Sequence, residues 1–156
     1  GVVLVGESAG GALALSASRA MPSGKCLGIG LLYPWVDLTL SSGSMARLGT
    51  DYFLTRGLLS MFRNWYLPDP RNSEAAKPVN YDFDGRAPTC VLVGEFDPLL
   101  DDALKLVPDD DNLRRPGDEL HVFPGMLHGF VSVRVMISAR GDALRLLVAF
   151  FERLLD

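Results

Sequence analysis

The 156-residue sequence has only two cysteines and two histidines. Cys26 and Cys90 lie beside or inside apolar runs, without the close pairing that announces a metal site or a disulfide framework, so both read as buried thiols in a reducing compartment. Basic charge is not in excess: 15 Lys and Arg face 19 Asp and Glu, a net charge of −4. There is therefore no basic stripe to hold nucleic acid or an anionic membrane surface. No apolar run approaches the roughly 20 residues of a membrane-spanning helix, and nothing resembles a secretory leader. These absences favour a cytoplasmic protein with no membrane span and no nucleic-acid partner. Internal repeats and low-complexity tracts are also missing. What remains is ordinary globular composition, 48% hydrophobic and 22% charged, at a length that suits one domain.

The most informative stretch is the first. Val2 to Val5 is an apolar run of the kind that forms a buried parallel strand. Gly6-Glu7-Ser8-Ala9-Gly10-Gly11 follows, and then a run of small residues that reads as a helix to about Ala20 or Met21, stopped by Pro22. Strand, Gly-x-Ser-x-Gly, helix is the pattern of a nucleophile elbow. Small residues flank the serine because a sharp strand-to-helix turn has little room for side chains. Two plainer readings stand beside it, a tight turn and a phosphate-binding loop at a helix N-terminus. The second is disfavoured because no Gly-Lys-Ser/Thr is present and Glu7 would repel an anion.

Further along, Leu27–Tyr33 predicts a second buried strand ended by Pro34. About ten residues rich in Ser, Gly and Thr follow Leu38 and read as loop. Thr55 can cap a helix over roughly 56–67, with Leu58, Met61, Phe62, Trp65 and Tyr66 at helical spacing. That stripe suits either a core face or a lid whose aromatics wall an acyl pocket. Pro68, Pro70 and Pro78 mark an irregular segment to about Pro88. Thr89–Gly94 predicts a third strand, and a helix begins near Leu99, with Pro108 and three aspartates interrupting it. Leu120–Phe123 predicts a short fourth strand ended by Pro124-Gly125, with Met126–Phe130 as loop. Residues 130–137 suit strand or helix, and Asp142 can cap a final helix.

Strands alternating with helical crossovers predict an α/β fold with a parallel sheet, whose ligands sit beyond the carboxyl ends of its strands. Ser8, Asp97 and His128 each fall just past a different predicted strand, so they should converge on one edge. A hydroxyl, an imidazole and a carboxylate are the groups that nucleophilic acyl transfer needs. Each has a plainer alternative. Asp97 before Pro98 is a good helix N-cap, and His128 could be an ordinary loop residue. Asp101 is a possible substitute carboxylate, and His121, inside a strand, reads as structural.

Taken together, Gly6-Glu7-Ser8-Ala9-Gly10-Gly11, Tyr33-Pro34-Trp35-Val36-Asp37-Leu38, Asp51-Tyr52-Phe53-Leu54-Thr55, Asp97-Pro98-Leu99 and Pro124-Gly125-Met126-Leu127-His128-Gly129-Phe130 resemble the hormone-sensitive-lipase family of α/β-hydrolase carboxylesterases. The resemblance runs from residue 2 to about 155. It implies that residues 1–156 are the C-terminal half of an α/β-hydrolase fold, with about 39–80 as part of a helical lid. It also implies Ser8 as nucleophile, His128 as base, Asp97 as acid and the Ala9 N–H as one oxyanion donor. The expected reaction is cofactor-free, metal-free hydrolysis of small esters with short acyl chains.

The sequence departs from the family at Glu7, where Asp is more usual, and at Pro108 with its acidic neighbours. The family's His-Gly-Gly-Gly oxyanion segment, which precedes the elbow, is not in the sequence. The expectation is accordingly of an upstream half that is absent, an apolar edge at Val2–Val5 prone to self-association, and little activity in the isolated chain. The rival reading is a hydrolase-like module that binds a small ligand without catalysis, or an inert fragment.

Overall fold

The computed structural model describes residues 1–67, 69, 86–133 and 137–155. Its four strands are β1 (Val2–Glu7), β2 (Cys26–Leu32), β3 (Thr89–Phe96) and β4 (Glu119–Leu127). They form one parallel sheet in the order β1-β2-β3-β4, as the alternating pattern predicts. Helix α1 (Ala9–Ala20) joins β1 to β2, α2 (Gly43–Leu48) and α3 (Arg56–Tyr66) lie between β2 and β3, α4 (Leu100–Leu106) joins β3 to β4, and α5 (Ile137–Leu155) comes last. Among the described residues no helix is long and apolar enough to cross a membrane.

The inner strands carry the core. Ile29, Leu31, Val91, Leu92 and Val93 are fully buried because the sheet is covered on both faces. Close approach by α5 explains a glycine here: a Cβ at Gly30 would lie 2.4 Å from Leu147 and 3.0 Å from Phe151. A second apolar cluster joins Trp35, Leu38, Leu40, Met45, Leu54, Leu59, Leu67 and Leu99. It ties the segment after β2 to the start of α4, beside the carboxyl end of the sheet.

Several local expectations need correction. The Ser/Gly/Thr-rich stretch is not all loop. Ser42 accepts a hydrogen bond from the Met45 N–H at 3.2 Å and starts α2, whose Met45 and Leu48 are buried. In α3, Thr55 caps as expected, accepting from the Leu58 N–H at 3.2 Å. The core-stripe reading fails, however: Leu58, Met61, Phe62, Trp65 and Tyr66 are exposed, and the helix docks through Leu59.

Helix α4 ends at Leu106, and the acidic stretch beyond makes a single turn in which Leu113 and Arg114 N–H donate to the Asp110 carbonyl. Strand β4 runs on through Pro124-Gly125 to Leu127. A proline is tolerated there because, among the described residues, β4 is an edge strand, and an irregularity between Gly94 and Phe96 absorbs Gly125 at φ 72°. Helix α5 begins before Asp142, which therefore pairs with Arg145 on the helix instead of capping it. The segment expected to be irregular around Pro70 and Pro78, and the later part of the expected lid, lie outside the described residues, as do residues 134–136 of the ambiguous stretch.

Candidate active site

The parallel sheet aims the carboxyl ends of β1, β3 and β4 at one edge, and the three sequence-derived candidates meet there. Ser8 sits between β1 and α1 at φ 54°, in the left-handed region that non-glycine residues rarely occupy. A serine at a helix N-cap ordinarily turns its hydroxyl onto the helix backbone. This one makes no such bond, and its Oγ lies 3.0 Å from His128 Nε2 instead.

The turn needs Gly6, where a Cβ would fall 2.3 Å from the Gly10 carbonyl oxygen, and Gly11, where it would fall 2.6 Å from Pro34 Cβ. Gly10 is different: a Cβ there meets nothing within 4 Å, so the expectation that both flanking glycines are sterically required holds at Gly6 only. Ala9 opens α1, and its N–H has no partner among the described residues.

Asp97 is fully buried just past β3 and uses both carboxylate oxygens. Oδ1 accepts from the Leu99 N–H at 2.8 Å, which rigidifies the turn into α4, and Oδ2 is 2.8 Å from His128 Nδ1. The two readings of Asp97, turn-former and imidazole partner, are thus met at once. With Nδ1–H donating to the carboxylate, the Nε2 lone pair faces the Ser8 hydroxyl, a tautomer assigned from its hydrogen bonds. His128 itself is buried, and the edge of the Tyr33 ring packs on it at a centroid distance of 4.8 Å.

The other candidates lie apart from this chain of bonds. Asp101 accepts from the Ser44 N–H at 2.8 Å and so braces α2. His121 pairs with Glu119 at 3.1 Å near the amino end of β4.

Two neighbours escaped the sequence reading. Tyr33, at φ 38° after β2, donates its hydroxyl to Glu7 Oε1 at 2.9 Å, and Ser132 donates to the same oxygen at 2.6 Å. Burial first, and then the Glu7 carboxylate, push the Tyr33 phenol far above its ordinary range. Glu7 therefore clasps β2 and the turn after His128 to the elbow, which gives the residue beside the nucleophile a definite task. Asp102, inside α4, accepts from the Val36 and Asp37 N–H groups at 3.0 and 2.8 Å and so fixes the chain after Tyr33. The signal for both was position: each lies within six residues of a strand's carboxyl end.

A sequence profile of the family described as alpha/beta hydrolase fold matches residues 1–132. Solved structures agree. EstE1, a thermophilic and thermostable carboxylesterase cloned from a metagenomic library, is 30% identical with a TM-score of 0.81 over 97% of this chain and 54% of its own. A hormone-sensitive lipase from a metagenome library is 25% identical with a TM-score of 0.81 over 97% of this chain and 53% of its own. A hyperthermophilic esterase from the archaeon Pyrobaculum calidifontis is 26% identical with a TM-score of 0.79 over 95% and 51%. The chain spans about half the length of each. With four parallel strands, flanking helices and the motifs of its sequence, this chain belongs to the α/β-hydrolase fold family, within the hormone-sensitive-lipase group.

Proposed function

We propose that this chain carries the serine-dependent catalytic machinery of a carboxylic ester hydrolase acting on small, short-chain acyl esters. The observation that supports it is the unbroken sequence of hydrogen bonds from Asp97 through His128 to Ser8. His128 Nε2 takes the Ser8 hydroxyl proton as Oγ attacks the ester carbonyl, and Asp97 steadies the imidazolium that forms. The negative charge that develops on the carbonyl oxygen is met by the Ala9 N–H at the start of α1, where the helix dipole also favours an anion. Collapse expels the alcohol, which leaves with the proton from His128. Water, activated by the same imidazole, then releases the acid from the acyl-enzyme.

In this reading residues 1–156 act as one hydrolase segment, the region 39–80 forms part of a lid, and no metal or cofactor enters the reaction. The outer edge of β1 is where the chain would meet a second copy, which sedimentation at rising concentration would detect.

Labelling with a fluorophosphonate probe tests the central claim. The expected result is a single adduct on Ser8 that is lost in Ser8→Ala. An adduct on Ser41 or Ser132 would overturn the assignment, and the absence of any adduct would favour a ligand-binding module.

A further inference from the structure

At the other end of the sheet, β3 and β4 bring together three side chains that the ester chemistry does not use. Cys90 pairs in register with Glu119 and Leu92 with His121, and alternate residues of a strand share a face. Cys90, Glu119 and His121 therefore stand on one side of the sheet. Their ligand atoms, a thiol sulfur, a carboxylate oxygen and an imidazole nitrogen, all lie within 4.8 Å of one another.

We propose that Cys90, Glu119 and His121 form a binding site for a thiophilic divalent cation such as Zn²⁺. The donor set suits that ion, which favours sulfur and imidazole nitrogen with a carboxylate as third ligand. Tetrahedral coordination at zinc's usual bond lengths sets the donors about 3–4 Å apart, so the cluster needs only a small contraction. The existing His121 Nε2–Glu119 Oε2 separation of 3.1 Å already meets that spacing.

The charges also fit. One thiolate and one carboxylate balance the dication, and Arg153 on α5 keeps its ion pair with the other oxygen of Glu119. Binding exchanges the thiol proton, released to solvent, for a metal–sulfur bond. Cys90 makes no hydrogen bond among the described residues, so none has to be broken, and the cation's charge must offset the cost of a thiolate buried beside Glu119. Access comes from the surface side, where His121 and Glu119 are each 29% exposed while Cys90 forms the floor.

A fourth position is left for water. Six residues of β3, Val91 to Phe96, lie between Cys90 and Asp97, roughly 20 Å along a strand, so a cation here lies far from Ser8. Its effect would be structural: it would staple β3 to the edge strand β4.

Zn²⁺ and Co²⁺ titrations of the purified 156-residue chain test the site. Zn²⁺ at micromolar concentration should raise the melting temperature by mass action, and Mg²⁺ should not. Co²⁺ should give a thiolate-to-cobalt charge-transfer band in the near ultraviolet. Cys90→Ser should abolish that band, and His121→Ala, a half-exposed change that the fold should tolerate, should weaken binding by about tenfold or more. Cys26→Ser, which alters the other thiol, should bind like the parent. Binding unchanged in His121→Ala, a cobalt spectrum without the thiolate band, or a band lost with Cys26 would each mean an adventitious ion only and overturn the proposal.

Discussion

The chain's two histidines occupy opposite ends of the same sheet, and their surroundings explain why one suits proton transfer and the other does not. His128 is buried, with a buried carboxylate on one nitrogen, a hydroxyl on the other and an aromatic edge against its ring. Each neighbour fixes orientation, and no cation competes for Asp97 among the described residues. His121 also has a carboxylate, but Glu119 is shared with Arg153, and the ring is partly open to solvent. The nearby thiol is held in its neutral form at ordinary pH. Burial, reinforced by Glu119 and only partly opposed by Arg153, pushes the Cys90 thiol up to about 12. Carboxylate, imidazole and an S–H or O–H group in proximity are therefore insufficient. Alignment separates the two ends: His128 joins Asp97 and Ser8 in one run of hydrogen bonds, whereas Cys90 makes none among the described residues.

The strongest way to break that comparison is to delete each imidazole. In an active preparation, His128→Ala should lower kcat by about six orders of magnitude, the loss typical of removing a serine hydrolase base. His121→Ala should leave kcat unchanged. Ester hydrolysis assays on both variants decide the matter, and a dead His121→Ala would exchange their roles.

The carboxylates give the next largest contrast. Asp97→Asn keeps an oxygen for the Leu99 N–H but can hold His128 in the wrong tautomer, so kcat should fall by roughly 10⁴. Glu119→Gln should not change it. Full activity in Asp97→Asn together with inactive Asp101→Asn would shift the acid to the first turn of α4.

Where the sequence proved legible, a short-range rule governed the outcome. The elbow could be read from Gly6 and Ser8 because a single steric demand sets that turn. The convergence of Ser8, Asp97 and His128 followed from parallel strand order alone. Regions decided by tertiary contacts were harder to read. Helix α2 is only six residues long and opens with the weak helix formers Gly43 and Ser44, so it rests on the Ser42 cap, on Asp101 holding the Ser44 N–H and on the burial of Met45. β4 continues through a proline only because it lies at the sheet edge of the described residues. The Tyr33–Glu7–Ser132 clasp joins residues up to 125 positions apart, beyond the reach of any local pattern.

A third carboxylate sharpens the comparison through stability. Unlike Glu119, Asp102 makes no ion pair among the described residues, and at 2% exposure its carboxylate accepts from backbone N–H groups. Burial pushes its pKa up to about 7, and those N–H groups only partly counter the shift. An unfolded aspartate titrates near 3.9. Between those values the native state keeps a proton that the unfolded chain releases, so this contribution is complete below about pH 4 and lost as pH rises through about 7. Asp102→Asn can still accept both N–H bonds and has no proton to lose. The stability advantage of the parent over the variant should therefore shrink by on the order of a few kcal/mol between pH 4 and pH 8. Urea unfolding across that range would reveal it, and a difference independent of pH would mean that Asp102 is ionised throughout.

The smallest effect is expected at Tyr33, and it separates two ways of holding His128. The ring meets the imidazole edge-on at 63° and also packs against Phe130 at 5.6 Å. The hydroxyl reaches Glu7. Tyr33→Phe keeps every ring contact and removes the hydrogen bond to Glu7 together with a long, 3.5 Å contact to Ser132 Oγ, while Ser132 still donates to Glu7. The expected loss is about 0.5–1.5 kcal/mol of stability, because removing the donor leaves Glu7 with one fewer partner at a partly solvated site. If orientation of His128 rests on the ring and on Asp97, kcat should change by less than about tenfold, whereas Tyr33→Leu, which removes the aromatic edge, should cost more. Parallel measurements on Glu7→Gln complete the test. Should Tyr33→Phe and Glu7→Gln both lose activity to the same large extent, the clasp positions His128, and the ring is only its filler.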